Sequence, residues 1–202
     1  PVGEGVMVER WGAGRRFGIV PVDAARTYWF ATENAAPGGA DGADPRAELL
    51  SRFADFAEPV VALLDATPAD AILRNDIVDL APLPRWTAGR VTLLGDAAHA
   101  MTPNMGQGAC QAIEDAVVLG SALAGVVDAG VPAALATYEA RRRPRATALV
   151  QRSWRLGRVA QWEGRLARGL RDALARATPA SAMARQMDAL WGVEVPSLPP
   201  GA

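Results

Sequence analysis

Residues 89–108, Gly-Arg-Val-Thr-Leu-Leu-Gly-Asp-Ala-Ala-His-Ala-Met-Thr-Pro-Asn-Met-Gly-Gln-Gly, constrain the fold more than any other stretch of this 202-residue chain. The apolar run 91–94 reads as a short buried strand that ends in Gly95-Asp96. Small residues and a Pro-containing loop follow, and Gly106-Gln107-Gly108 opens a long helical run. An acidic side chain just past a strand can accept hydrogen bonds from the hydroxyls of a ribose-like chain. Glycines let backbone approach a flat or anionic ligand closely. A helix beginning near Gly106 aims free N–H groups and the positive end of its dipole at that ligand. Together these suit a flavin, whose ring becomes negatively charged on reduction.

The stretch resembles the second FAD-binding motif of the aromatic-hydroxylase flavoproteins, the p-hydroxybenzoate hydroxylase-like monooxygenases. Gly95, Asp96, Ala97, Ala98, His99, Pro103, Gly106, Gln107, Gly108, Glu114 and Asp115 all fall on that family's pattern. The resemblance implies that Asp96 holds the ribityl chain and that the loop from Pro103 through Gly106, Gln107 and Gly108 runs past the isoalloxazine ring. It also implies an FAD-dependent monooxygenase in which NAD(P)H and O₂ are co-substrates and a small aromatic or heteroaromatic molecule is hydroxylated. The implied fold is α/β, or α+β for the portion present. It comprises the C-terminal part of a Rossmann-like FAD domain, part of an inserted antiparallel substrate-domain sheet, and C-terminal helices.

The order of elements agrees with that layout. Strand-like runs at 6–11, 16–21 and 26–32 are rich in β-branched and aromatic residues, and the short connection 22–25 predicts a hairpin. A Gly/Pro/Ala loop at 34–45 precedes helical periodicity over 46–57 and a second short helix from Pro59 to Leu64. Residues 72–80 read as a further strand. Beyond Gly106 the chain is nearly all helical. One helix runs to about Val127, another from Pro132 through Arg143, and a third starts at Pro144. Trp154, Val159, Trp162, Leu166, Leu170 and Leu174 mark an apolar stripe, Pro179 opens a last helix, and 196–202 reads as a frayed tail. Residues 1–87 are assigned to the late part of a substrate-binding domain, and 88–202 to the closing part of the FAD domain with its C-terminal helices.

The family's N-terminal βαβ unit with Gly-x-Gly-x-x-Gly has no counterpart here. Gly12-Ala13-Gly14 with Gly18 fails the spacing and lies between strands, and Gly39-Ala40-Asp41-Gly42 lies too late for the family's middle Asp-Gly motif. The chain is therefore expected to be the C-terminal portion of a longer enzyme. Residues 1–202 alone are expected to purify without flavin and to self-associate through uncovered apolar surface. A homo-oligomer is allowed by that surface, and a non-catalytic remnant or assembly module with the flavoprotein fold is the alternative reading.

Composition narrows the partners. A single cysteine, Cys110, excludes an internal disulfide and fits a cytoplasmic location. One histidine argues against a metal site. No apolar run approaches the ~18 residues of a membrane span. Residues 1–140 hold 18 acids and 9 arginines, whereas 141–185 hold 12 arginines against Glu163 and Asp172. Such arginines commonly solvate helix faces or pair with acids elsewhere, and no nucleic-acid module accompanies them.

Arg16 and Tyr28 stand on successive predicted strands within a Gly-Arg-Arg…Pro…Arg-x-Tyr-Trp-Phe pattern similar to the urate-hydroxylase-like and zeaxanthin-epoxidase-like branches. The reading is that they position substrate, since a cationic side chain can hold an anionic or enolate-like aromatic and a phenol can donate to its carbonyl. A surface arginine and a half-buried sheet tyrosine are the alternative. His99, Cys110, Glu114 and Asp115 read as structural; no Gly-x-Ser-x-Gly elbow exists to pair with His99 and Asp96.

Overall fold

The computed structural model describes residues 6–40 and 42–191. Its contacts divide them into two units. One comprises the described residues up to Asp76 together with Val159–Ala173, and the other comprises Ile77–Arg158 with the described residues from Leu174.

The first unit is built on a three-stranded antiparallel sheet of β1 (Val8–Trp11), β2 (Arg15–Pro21) and β3 (Thr27–Glu33), in sequence order. The β1–β2 turn closes through Gly12 N–H to the Arg15 carbonyl, with Gly14 at φ 64°. Glycine bears that left-handed backbone without a Cβ penalty, so Gly12-Ala13-Gly14 serves a hairpin. The β2–β3 hairpin closes through Val22 N–H to the Arg26 carbonyl, and the Asp23 carboxylate accepts from the Ala25 and Arg26 amides. Side-chain alternation sets the two faces. Phe17 and Ile19, opposite Ala31 and Trp29, point one way, and they are buried against Phe53 of α1's end and Val60 and Leu64 of α2. Helices α1 (Pro45–Arg52) and α2 (Val60–Ala66) supply that cover, and Asp44 caps α1 at the Ala47 amide. Each fully buried Phe or Ile contributes roughly 1.5–3 kcal/mol. Phe17 stacks on Trp29 at 5.3 Å and meets Phe53 edge-on at 5.8 Å, which fixes the register of sheet on helix.

In the second unit, β4 (Thr87–Ala88) and β5 (Val91–Thr92) form a two-stranded hairpin. It is followed by α3 (Asp96–His99) and a 3₁₀ turn at Pro103–Met105. Helix α4 (Gly108–Leu123) and helix α5 (Val131–Ala160) come next, and α5 ends in the first unit. Helices α6 (Arg165–Ala177) and α7 (Ala180–Trp191) close the described chain. Trp86, Ala98, Val118, Tyr138 and Ala146 form the core, with Leu83, Leu93, Leu119 and Ala122 packed on it.

The mixed helix-and-sheet class agrees with expectation, and four local readings are corrected. Residues 72–80 form no strand: no described strand ladders with them, and Leu73 is 84% exposed. The apolar run 91–94 is a strand only at Val91–Thr92, with Val91 and Leu94 exposed, because its partner is a two-residue edge. Pro144 does not start a new helix but lies inside α5. A helix flanked by buried Tyr138, Ala146 and Leu149 tolerates the one hydrogen bond that proline removes. The stripe from Trp154 to Leu174 is interrupted between α5 and α6, and Leu166 is 92% exposed. The expected tail at 196–202 and Asp41 lie outside the described residues.

Candidate functional site

Gly95 sits at φ 57°, ψ −141°, a conformation that side chains avoid, and a Cβ there would stand 3.3 Å from Ala112 Cβ. That turn swings the chain from the β4–β5 hairpin into α3 and leaves the Asp96 side chain at its first position, exposed. Among the described residues the Asp96 carboxylate makes no hydrogen bond or ion pair. It is an acceptor with open capacity at the end of the hairpin.

Pro103 starts the 3₁₀ turn, and Gly106 ends it in the left-handed region at φ 62° with open space where a Cβ would stand. Helix α4 then begins at Gly108, two residues later than the sequence suggests, with Gln107 as its cap residue. No side chain caps this end, and the first helical turn carries only Gly108, Ala109 and Cys110 ahead of Gln111. The first amides of a helix have no intrahelical acceptor. They form a donor-rich patch with small side chains, suited to an electronegative flat group. Gln107 contributes backbone to this end: its side chain is buried, with Oε1 accepting from Gln111 Nε2 at 3.4 Å.

The loop is held from α5. Ser153 Oγ donates to the Thr102 carbonyl at 2.6 Å and lies 2.9 Å from Thr102 Oγ1, while Asn104 Nδ2 donates to the Ser153 carbonyl at 3.0 Å. Gly157 makes room, since a Cβ there would meet the Asn104 carboxamide at 2.3 Å. Sequence reading missed Ser153 and Gly157; their only signal is a four-residue spacing that places them on one helix face.

Below the turn lies a buried ionic cluster. Asp115 Oδ2 accepts from the Gly95 amide at 2.9 Å and from His99 Nε2 at 2.6 Å, and Oδ1 accepts from Arg142 Nε at 2.7 Å. A carboxylate can only accept, so Nε2 carries the imidazole proton here. Arg142 also donates to Glu114 and, through Nη2, to Gln111 Oε1 at 2.7 Å. Arg145 reaches Glu114 at 2.9 Å. Burial alone would raise the Asp115 pKa, but bonds from His99, Arg142 and the Gly95 amide outweigh it and hold the carboxyl below its ordinary value. Glu114 is likewise raised by burial and lowered further by Arg145 and Arg142, for a net depression. Tyr138 donates to the Leu93 carbonyl at 3.1 Å, and burial, with Asp115 nearby, pushes its phenol up. Arg142, Arg143, Arg145 and Arg171 of the basic segment thus pair with acids of the fold. Arg142 itself carried no distinguishing mark within Arg141-Arg142-Arg143.

In the first unit, Arg16 and Tyr28 share the sheet face opposite the core: Arg16 pairs with Thr32, and Val20 with Tyr28. Four residues separate their positions along the sheet, roughly 14 Å at about 3.4 Å per residue. Arg16 is buried, its Nη1 donating to Glu9 at 3.0 Å and its Nε to Thr32 Oγ1 at 3.3 Å. Burial lowers its pKa against the opposing pull of Glu9. Tyr28 is 57% exposed, 6.3 Å from Phe30, whose ring lies where a Cβ on Gly18 would be. The structure therefore groups the sequence-predicted residues in two sets. Gly95, Asp96, Pro103, Gly106, Gln107 and Gly108 belong to the second unit, and Arg16 and Tyr28 to the first.

An exposed carboxylate beside a glycine turn, followed by an uncapped, small-residue helix start, is the arrangement of a cofactor-binding fold, and comparison with known proteins agrees. Residues 67–153 match the FAD binding domain family. It is 52% identical over 168 residues to the aurachin C monooxygenase/isomerase of Stigmatella aurantiaca, covering 83% of this chain and 43% of that protein. It is 44% identical over 140 residues to the FAD-dependent urate hydroxylase of Klebsiella pneumoniae, covering 69% and 36%. The crystal structure of Klebsiella pneumoniae HpxO complexed with FAD and uric acid superposes with a TM-score of 0.76 at 34% identity, over 89% of this chain and 46% of that one. The chain thus spans less than half the length of these relatives.

Proposed function

We propose that the chain forms the C-terminal part of an FAD-dependent monooxygenase that uses NAD(P)H and O₂ to hydroxylate a small aromatic or heteroaromatic substrate. The observation that carries this reading is the Gly95–Gly108 segment. It offers an unpartnered carboxylate at Asp96, a glycine turn and an uncapped helix end, all within the part of the chain that matches the FAD binding domain family. FAD, when bound, supplies the electron transfer and oxygen activation that no amino-acid side chain provides. The residues fit it. Asp96 would accept from ribityl hydroxyls, Pro103 and Gly106 would leave the loop backbone close to the ring, and the amides at Gly108–Cys110 would face its electronegative edge. Such preorganised donors stabilise charge where it develops.

Arg16 and Tyr28 are proposed to border the substrate on the sheet face opposite the core, with Tyr28 the accessible donor and Arg16 buried and held by Glu9 and Thr32. An electron-rich, hydrogen-bonding ring is favoured as substrate by the urate hydroxylase among the relatives. Homo-oligomerisation is supported by the exposed Leu166, Leu170 and Leu174 on α6. A cytoplasmic location is included in the proposal, and among the described residues no helix is long and apolar enough to cross a membrane. The direct test is FAD retention by the holoenzyme after Asp96→Ala: loss of bound flavin with unchanged folding supports the reading, and full retention rejects it.

A further inference from the structure

The cluster beneath the turn does something that Asp96 cannot do for itself. A single carboxylate, Asp115, fully buried on α4, bonds the backbone of Gly95 and the side chain of His99, which are the residue just before Asp96 and the last residue of the short helix it begins. Helix α3 has one turn, and its internal bonds run from Ala98 and His99 back to the Gly95 carbonyl and from Ala100 to the Asp96 carbonyl. A single helical turn is far too short to be stable alone. Its placement therefore depends on what grips its two ends. Asp115 grips both through the same oxygen, and α4, which carries Asp115, is also the helix whose first turn forms the donor patch at Gly108. Arg142 from α5 completes the grip by bonding the other oxygen.

We infer that Asp115 is a positioning residue for Asp96: it locks the Gly95–His99 turn to helix α4, so that the acceptor and the helix-end donors keep one fixed separation. This rests on the reading of Asp96 and the α4 end as the cofactor site. Asp115 touches no cofactor in this role and acts through Gly95 and His99. The groups facing it are the Gly95 amide, the His99 imidazole, the Arg142 guanidinium and the Tyr138 phenol. Three donors converge on two carboxylate oxygens, so the isosteric Asp115→Asn must set its own N–H₂ against at least one of them.

Backbone amide hydrogen exchange on the full chain tests this, with Val118→Ala as a control that weakens the same core one helical turn away. In Asp115→Asn, protection at Gly95, Ala98 and His99 is expected to fall at least ten-fold further than protection across the rest of α4. In Val118→Ala the turn and α4 should lose protection together. His99→Gln, which leaves the Asp115–Arg142 pair in place, should give an intermediate loss confined to 95–100 and covers the case in which Asp115→Asn does not fold. A second arm titrates FAD into deflavinated holoenzyme, where Asp115→Asn should raise the Kd at least ten-fold and Val118→Ala should leave it within about two-fold. Parallel loss of protection across the turn and α4 in both Asp115→Asn and His99→Gln would overturn the inference and leave Asp115 a plain contributor to stability. Retained FAD affinity in Asp96→Ala would instead sink the cofactor reading, while the exchange arm still decides whether Asp115 fixes the turn.

Discussion

The Arg142 guanidinium lies 2.7 Å through Nε from Asp115 Oδ1, with both side chains withdrawn from solvent, and this pair ties α5 to α4 beneath the Gly95–Asp96 turn. Charges this deep are held only when paired and fully hydrogen-bonded. Arg142 meets that condition through Asp115, Glu114 and Gln111. The geometry leads to four predictions.

Removing Arg142 should be costly. Arg142→Met leaves the Asp115 charge without its cation, and breaking a buried pair from one side costs about 3–5 kcal/mol. Urea denaturation should show that loss, and the double variant Arg142→Met with Asp115→Leu should recover part of it. A shift of less than about 1 kcal/mol would mean that the pair is not coupled as its geometry requires.

Acid should loosen the second unit. Asp115 and Glu114 have folded pKa values below their ordinary 3.8 and 4.5. The unfolded chain therefore takes up protons first as pH falls, and the stability these carboxylates contribute is full above the unfolded values. It drains below about pH 4.5 and is gone once pH passes their folded values. Urea midpoints measured from pH 7 to pH 3 should be level at the upper end and fall at the lower. In Asp115→Asn the acid-induced fall should be smaller; an unchanged profile would remove Asp115 from the titration.

Asp96→Ala should weaken FAD binding by about ten- to hundred-fold, the equivalent of roughly 1.5–3 kcal/mol for a hydrogen bond to a charged group. Because Asp96 is exposed and unpartnered, the urea midpoint should stay close to that of the parent. Equilibrium flavin titration and denaturation on the same samples separate the two effects.

Tyr28→Phe should impair hydroxylation or divert reducing equivalents to peroxide, while leaving bound FAD and the urea midpoint nearly unchanged. Arg16→Ala should do the same to turnover but also cost stability, because it strips Glu9 and Thr32 of their partner. Comparing product formed with NAD(P)H consumed is the measurement. Unaltered coupling in both variants would return the two residues to a purely architectural role.

Much of the fold was legible because its signals are local. β-Branched and aromatic residues in 16–21 and 26–32 marked two strands, which pair as an antiparallel ladder; the register then puts Phe17, Ile19 and Trp29 on one face and Arg16 and Tyr28 on the other. The short connection 22–25 marked the second hairpin, which the Asp23 carboxylate closes, while the turn role of Gly14 at φ 64° emerges only from the structure. Readings failed where an element needs a partner. Residues 72–80 have strand-like residues but no described strand to ladder with, the Leu80 amide instead donating to the Ala100 carbonyl, and the apolar run 91–94 shrank to the two residues its short partner can pair. Pro144 was misleading for the opposite reason: tertiary burial on both sides carries α5 through a residue that locally argues for a break.

The sequence by itself determined which chemistry the 95–108 segment can offer, because a Gly-Asp turn, a rigid proline loop and a glycine-opened helix each depend on residues adjacent in the chain. It also left the arginines of 141–185 either to solvate helix faces or to pair with acids elsewhere. Only the tertiary structure decided which arginine would be buried and against which acid. Arg141, Arg142 and Arg143 are the same letter three times over, and the 100° step between helix residues turns only Arg142 onto Asp115. The grip of Asp115 on Gly95, of Ser153 on Thr102 and of Gly157's open face on Asn104 joins positions 20, 51 and 53 residues apart. Contacts across such separations leave no periodicity in the chain, since the packing of helices, and not the spacing of residues, brings them within a hydrogen bond's reach.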